Sequence, residues 1–417
     1  MEGIVLLKND GTLPLSSSVK KVALIGPWAN ATTQMQGNYE GIAPYLISPL
    51  MGAVQYGYQV TYVLGTSIST TDASGFTAAV QAAQEADIVI YAGGIDLSIE
   101  AEGLDRLTIT WPGNQLELIA ELQGVGKPLV VVQFGGGQLD DTTLNGNASV
   151  SIHSNPIDQI HEPIPYGQVN ALVWAGYPGQ SGGQALFDIL SGKVAPAGRL
   201  PITQYPADYV SEIPMTDMNL RPSTTSPGRT YKWYDGTPVY PFGYGEHYTT
   251  FGYKWSKAPE STYNIQELVI AGQGATYIDT AAFDTLAIDV TNTGKGESKR
   301  HPSHGAAHRA FFCSAIVTSD YVALLFSSGE YGPTPYPNKS LVSYTRLHGI
   351  APGSTSTAVL PITLGTLARA DTDGNFWLYP GTYTLALDTT GTLTYEFTLT
   401  GNAAQLTNFP QNPATSS

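Results

Sequence analysis

Cysteine is almost missing. Cys313 is the single one in 417 residues, which excludes an internal disulfide framework. Charge is scarce as well, at 13% of residues, and basic charge is scarcer: 19 Lys and Arg stand against 34 acids, for a net charge of −15. No basic stripe is present, so nucleic acid is not an expected partner. No apolar run approaches the ~20 residues of a membrane-spanning helix, so no membrane span is expected. The first residues, MEGIVLLKNDGTLPL, have neither a basic n-region nor an apolar h-region, so no signal peptide is read on this chain. What the chain does have is 45 Gly, 28 Pro and 25 Tyr, with 42% apolar residues. Length and composition together suit a globular, loop-rich chain of two or three domains.

EGIVLLKND reads as the end of an amphipathic helix running into a turn at Asn9-Asp10-Gly11. VKKVALIGP (19–27), YQVTYVLG (58–65), DIVIYAGG (87–94) and KPLVVVQFGGG (127–137) read as strands. TDASGFTAAVQAAQEA (71–86) reads as a helix, and WPGNQLELIAELQGVG (111–126) as a helix with Pro in its first turn and Gly at its end. VNALVWAGYPGQSGGQALFDILSG (169–192) is strand, Gly-rich turn and helix. The alternation predicts an α/β sandwich domain with a largely parallel sheet over 1–250. Residues 251–276 read as a linker. From about 277 to 402, period-2 segments such as FDTLAIDVTNTG, DYVALLFSS and STAVLPITL predict an all-β sandwich of immunoglobulin or fibronectin type III kind. Residues 403–417 read as a frayed tail.

Four acids and an arginine fall in eleven residues after the strand at 87–94: Asp96, Glu100, Glu102, Asp105 and Arg106. Ligands of parallel sheets bind at the carboxyl ends of strands. The residues alone leave two readings open, a solvated surface loop or a carboxyl group presented as a general acid, with Arg106 able to fix Asp105. FGGGQLDD (134–141) lacks the Lys-Ser/Thr of a P-loop and the spacing of a dinucleotide fingerprint, so it reads as a glycine turn after a strand. HPSHGAAHR (301–309) has helical His spacing, but Pro302 and Gly305 argue against a helix and no metal site is assigned. Asn30, Asn147 and Asn338 open N-glycosylation sequons, which suit a secreted parent protein.

EGIVLLKNDGTLPL, ALIGPWANATTQMQGNYEGIAPYLISPL, GGIDLSIEAEGLDR, WPGNQLELI, NALVWAGYPGQSGGQALFDILSGKVAPAGRLPITQYP and YPFGYGEHYTTF together resemble the C-terminal half of fungal β-xylosidases of glycoside hydrolase family 3. The resemblance covers most of residues 2–400. It implies an upstream (β/α)8 barrel carrying an aspartate nucleophile, then the α/β sandwich, then a fibronectin type III-like domain. It places the family's Glu-Gly-x-Asp-Arg pattern on residues 102–106. Glu102 is then the acid/base, Glu100 the local alternative or a supporting residue, and Asp105 with Arg106 a brace for the loop. A retaining glycosidase needs two carboxyl groups about 5–5.5 Å apart, and no cofactor. The implied substrates are xylo-oligosaccharides derived from xylan, cut from their non-reducing ends. α-L-arabinofuranosidase or β-glucosidase activity are alternatives within the family, and an extracellular parent is implied.

The departures from the resemblance are as informative. No barrel precedes Met1, so the expected chain is a fragment inactive by itself, and a non-catalytic or scaffold fragment is the competing reading. Residues 150–168 and 296–316 interrupt the family pattern. Val-Ser and Gln at the ends of the first, and Gly-Glu-Ser and Ala-Ile-Val around the second, can be translated from intron boundaries. Both stretches are therefore expected to be retained introns. They hold His153, His161, His301, His304 and His308 and the single cysteine. The second is expected to interrupt the first strand pair of the β-sandwich. Glu246 stands where the family has an apolar residue.

Overall fold

The computed structural model describes residues 1–146, 169–294 and 317–410. These fold into two compact units. One holds Met1–Met215 and Thr237–Thr250; the other holds Thr216–Gly236, Phe251–Thr293 and the chain from Asp320.

The first unit is built on a six-stranded sheet of β1 (Val5–Asn9), β2 (Lys21–Ile25), β3 (Gln59–Val63), β4 (Ile88–Gly94), β5 (Leu129–Phe134) and β6 (Ala171–Gly176), in the spatial order β1-β6-β5-β4-β2-β3. Every neighbouring pair is parallel except β1 with β6. β4, β5 and β6 are buried at every residue, which is why IVIYAGG, LVVVQF and ALVWAG are apolar without alternation. Successive side chains still serve opposite faces. Val22, Leu24, Ile88, Ile90, Val130, Val132 and Val173 join α1 (Pro49–Gln55) and α5 (Gly182–Leu190) in one core. Ala23, Ile25, Val89, Tyr91, Leu129, Val131 and Leu172 join α2 (Phe76–Glu85) and α3 (Gln115–Gly124) in the other. The result is a three-layer α/β/α sandwich. The single-turn α4 (Thr142–Asn145) follows β5. The chain moves from β2 outward to β3, then returns to β4 on the other side of β2. That reversal places the ligand-binding crevice of such sheets at the carboxyl ends of β2 and β4.

The second unit is a β-sandwich of fibronectin type III-like form. A five-stranded sheet, β11-β10-β15-β16-β8, and a three-stranded sheet, β12-β9-β7, share one apolar core. Their strands are β7 (Phe251–Lys257), β8 (Thr262–Asn264), β9 (Ala282–Asn292), β10 (Ser319–Ser328), β11 (Ser340–Ile350), β12 (Thr355–Thr363), β15 (Gly381–Leu387) and β16 (Thr394–Thr400). A small third sheet joins β13 (Arg369–Ala370), β14 (Phe376–Leu378) and β17 (Ala404–Thr407).

Five expectations are corrected. Residues 5–9 form a strand, not the end of a helix: five residues are too few to show a helical period, and Val5–Asn9 find backbone partners along β6. Pro112 lies ahead of α3 rather than in its first turn. The linker read at 251–276 contains β7, β8 and a helix, Ile265–Gly272, whose Asn264 cap accepts hydrogen bonds from Gln266 and Glu267. Phe251, Tyr253 and Trp255 do alternate, but inside an aromatic, Gly-rich stretch that hid the period. The tail read from 403 opens with β17, which pairs with β14. Finally, β9 and β10, on either side of 296–316, lie in different sheets and are not a strand pair. Both interrupting stretches, and the histidine cluster at 301–309, fall outside the described residues.

Candidate active-site loop

The acidic segment leaves β4 at Gly94. Gly94 has φ +123°, and a Cβ there would stand 2.2 Å from the Phe134 carbonyl oxygen of β5. The strand is closed off by Gln115, the first residue of α3. Its side-chain amide accepts from Gly94 N (2.9 Å) and donates to Gly94 O (2.8 Å), and Tyr91 OH donates to its oxygen (3.1 Å). The loop therefore starts from a fixed point.

Beyond it the four acids separate into different tasks. Asp96 is a turn former: its side chain accepts from Ser98, and its carbonyl accepts from Ile99 N and Glu100 N. Glu100 is gripped. Its Oε1 accepts from Gly136 N (2.7 Å) and Tyr177 OH (3.0 Å), and its Oε2 from Gly137 N (2.8 Å). Glu102 and Gly103 are the central residues of a tight turn closed by Leu104 N to Ala101 O (3.0 Å), with Gly103 at φ +73°. Glu102 is exposed there and makes no hydrogen bond or ion pair with any described residue. Leu104 and Leu107 beside it are 43% and 87% exposed.

Arg106 does not brace Asp105. Asp105 is exposed and unpaired among the described residues. Arg106 turns inward instead, and its Nη1 donates to Gln138 O (2.7 Å). Burial lowers the Arg106 pKa, while the nearby Glu100 charge works the other way. The reason for the choice is geometric. Glu100 and Arg106 converge on Gly137, where an added Cβ would stand 2.2 Å from Glu100 Oε2 and 2.6 Å from Arg106 Nη2.

FGGGQLDD is a turn after a strand, as read from sequence, and it also anchors the loop's far end. Asp140 N donates to Ile109 O (2.8 Å), and Trp111 Nε1 donates to Asp141 Oδ1 (2.9 Å). Gln138 Oε1 accepts from Tyr205 N, and Asp140 Oδ2 from Ala207 N. Tyr177, Gly136, Gly137 and Gln138 are site residues that sequence reasoning did not single out. Tyr177 lay inside the long WAGYPGQSGG motif, and the contacts to Gly136 and Gly137 are made by backbone N–H groups, which no residue code displays. Tyr177 is itself held in place: Trp28 stacks on Phe134 (4.7 Å) and packs at 6.0 Å against Tyr177. Burial, followed by the Glu100 charge, raises the Tyr177 pKa, so the hydroxyl keeps its proton and donates.

Of the sequon residues, Asn30 is exposed and its Oδ1 accepts from Ser48, while Asn338 Nδ2 already donates to Tyr234 O (2.7 Å). Asn147 lies outside the described residues. Glu246 is half-buried within the first unit beside Tyr244, which donates to it.

A three-layer α/β sandwich with a carboxylate-bearing loop at its switch point, followed by a fibronectin type III-like sandwich, defines a class. Residues 4–248 match the family model described as the glycosyl hydrolase family 3 C-terminal domain, and the chain belongs to that family. Over 417 residues it is 53% identical to "Probable exo-1,4-beta-xylosidase bxlB" of Aspergillus fumigatus, covering 99% of this chain and 49% of that protein. It is 52% identical over 418 residues to "Probable exo-1,4-beta-xylosidase xlnD" of Neosartorya fischeri, again covering 49% of the relative. A solved structure, "GH3 exo-beta-xylosidase (XlnD) in complex with xylobiose aziridine activity based probe", superposes with a TM-score of 0.86 at 46% identity over 99% of this chain and 49% of that one. The chain thus spans about half the length of the relatives it matches.

Proposed function

We propose that this chain is the C-terminal half of an exo-acting retaining β-xylosidase and supplies its acid/base, Glu102. The observation that carries the reading is the separation of tasks within one loop. Glu100 and Arg106 are spent on holding the loop, whereas Glu102 stands exposed, unpaired and on a fixed turn. A proton donor that must serve a substrate held by another part of the enzyme needs that arrangement. Relatives twice as long as this chain support a second half, and the family resemblance implies that it is a barrel with the aspartate nucleophile. The apolar Leu104 and Leu107 beside Glu102 suit a surface covered by that half.

In the first step the nucleophile's oxygen bonds to the anomeric carbon as the glycosidic C–O bond breaks. Glu102 gives its proton to the leaving oxygen. In the second step Glu102, now a carboxylate, takes a proton from water as the water oxygen bonds to the anomeric carbon and the bond to the nucleophile breaks, which frees the nucleophile's carboxylate and restores Glu102 as the acid. No cofactor enters either step. The substrates are xylo-oligosaccharides, and the parent enzyme acts outside the cell.

The test compares hydrolysis of p-nitrophenyl β-xyloside by this chain and by the chain joined to its barrel half. Activity confined to the long form, with kcat lowered at least about 100-fold by Glu102→Gln, is the expected result. Turnover by the short chain alone would show a nucleophile within it and overturn the mechanism.

A further inference from the structure

The glycine turn after β5 meets the acidic loop from below through its backbone and has no role assigned to it so far. Its backbone groups serve the acidic loop: Gly136 N and Gly137 N both donate to Glu100, and the Gln138 carbonyl accepts from Arg106. Its neighbour Tyr177 adds a third donor to Glu100. These contacts tie residues 100 and 106, which bracket the turn bearing Glu102, to the carboxyl ends of two adjacent strands, β5 and β6.

We propose that Gly136, Gly137, Gln138 and Tyr177 form a positioning clamp that fixes where the Glu102 carboxyl is presented, acting through Glu100 and Arg106 without touching substrate. The inference rests on the reading of Glu102 as the acid/base. Two donated backbone hydrogen bonds and one hydroxyl make Glu100 a charge-assisted anchor, stronger than a neutral contact. Arg106 closes the other side of the turn, so Glu102 cannot swing as a unit with its loop. Gly137 is required because Glu100 and Arg106 occupy the space any side chain would need. A displacement of about 1 Å in a reacting group is enough to cost a large part of its rate.

The test uses the enzyme with both halves present and compares Tyr177→Phe, Glu100→Gln and Glu102→Gln. Tyr177→Phe keeps the ring against Trp28 and removes only the hydroxyl, so folding is retained. The readout is kcat/KM for two xylosides, one with a poor leaving group and one with a dinitrophenolate that departs without a proton. The clamp variants are expected to lose about tenfold on the first substrate and less than about threefold on the second, the same split as Glu102→Gln in milder form. Hydrogen exchange at the Gly136 and Gly137 amides should speed up in Glu100→Gln. Equal losses on both substrates would reduce the clamp to a structural support and overturn the proposal. A split for Glu100→Gln with none for Glu102→Gln would make Glu100 the acid itself; the acid/base reading would then fall, and the clamp with it. No split in any variant would sink the reading of the loop as the source of the acid.

Discussion

Residue by residue, the buried and half-buried ionisable groups of the first unit make its stability depend on pH. Burial raises Asp141 to about 8, against the hydrogen bond from Trp111, and raises Glu246 to about 7. Among the described residues Asp141 Oδ2 has no hydrogen-bond partner of good geometry, and the nearby Gln204 amide offsets the effect of burial only in part, which suits a protonated carboxyl at this place. Between an ordinary carboxylate pKa near 4 and those raised values, the folded unit keeps protons that the unfolded chain has released. The stability these two groups give is full below about pH 4 and is lost as pH rises through 7 to 8, by at most about 1.4 kcal/mol per pH unit for each. Lys8, lowered to about 8 by burial, acts oppositely at higher pH: stability recovers between about 8 and its unfolded value. The Asp141→Asn variant isolates the first effect. The melting temperature of the parent minus that of the variant should fall steadily from pH 5 to pH 8; a constant difference would refute it. None of these shifts was legible in sequence, where Asp141 was one letter of a glycine turn. Glu246 shows in sequence only as a departure from an apolar position, which is the signal a half-buried carboxyl leaves.

Helices and strands carry a different constraint, close approach. α1 and α5 pack on one face of the sheet through Gly52 and Gly183. A Cβ at Gly183 would stand 1.9 Å from Ser48 O, and one at Gly52 2.3 Å from Gly183 O. These are backbone atoms that cannot rotate away. Ser48 also caps α1, its side chain accepting from Met51 N (3.2 Å). Gly183→Ala should therefore destabilise the first unit by about 1–3 kcal/mol, read from urea midpoints, whereas Gly57→Ala meets no atom within 4 Å and tests only the cost of its left-handed φ of +84°. Elements of this unit were readable because parallel strands buried on both faces leave long apolar runs and their helices leave periods of three and four. The five residues of β1 fit either template, and pairing with β6 decides between them. β7 and β8 were missed because half-buried edge strands share composition with the loops around them.

At the scale of the molecule, the described chain before and after the stretch that interrupts the family pattern at 150–168 lies at one place in the first unit. Residues on either side of 147–168 meet, with Val169 N donating to Leu144 O (3.3 Å). Chain ends already this close can be joined by a short connection, and shortening a loop changes closure entropy by only about 0.6 kcal/mol per halving. Deletion of 150–168 should leave the melting temperature of the first unit within a few degrees of the parent, as followed by calorimetry. A loss of cooperative unfolding would show instead that the stretch is part of the core. The broad order of domains was visible in the change from helix-and-strand alternation to period-2 segments, but the division into units was not. Thr216–Gly236 belongs to the second unit although it precedes Thr237–Thr250 of the first, and only contacts far apart in sequence reveal such an excursion.

Gln115 deserves a last consequence. By offering Gly94 both an acceptor and a donor, its carboxamide imitates a peptide group and finishes the β4 ladder from outside the sheet. The strand end does not depend on what the following residues do. With Ile95, Ile109 and Trp111 buried at its two ends, the exposed turn between them, residues 102–105, can thus be rewritten over generations without unravelling the scaffold, and this strand end becomes a place where new specificities can be tried at low risk to the fold.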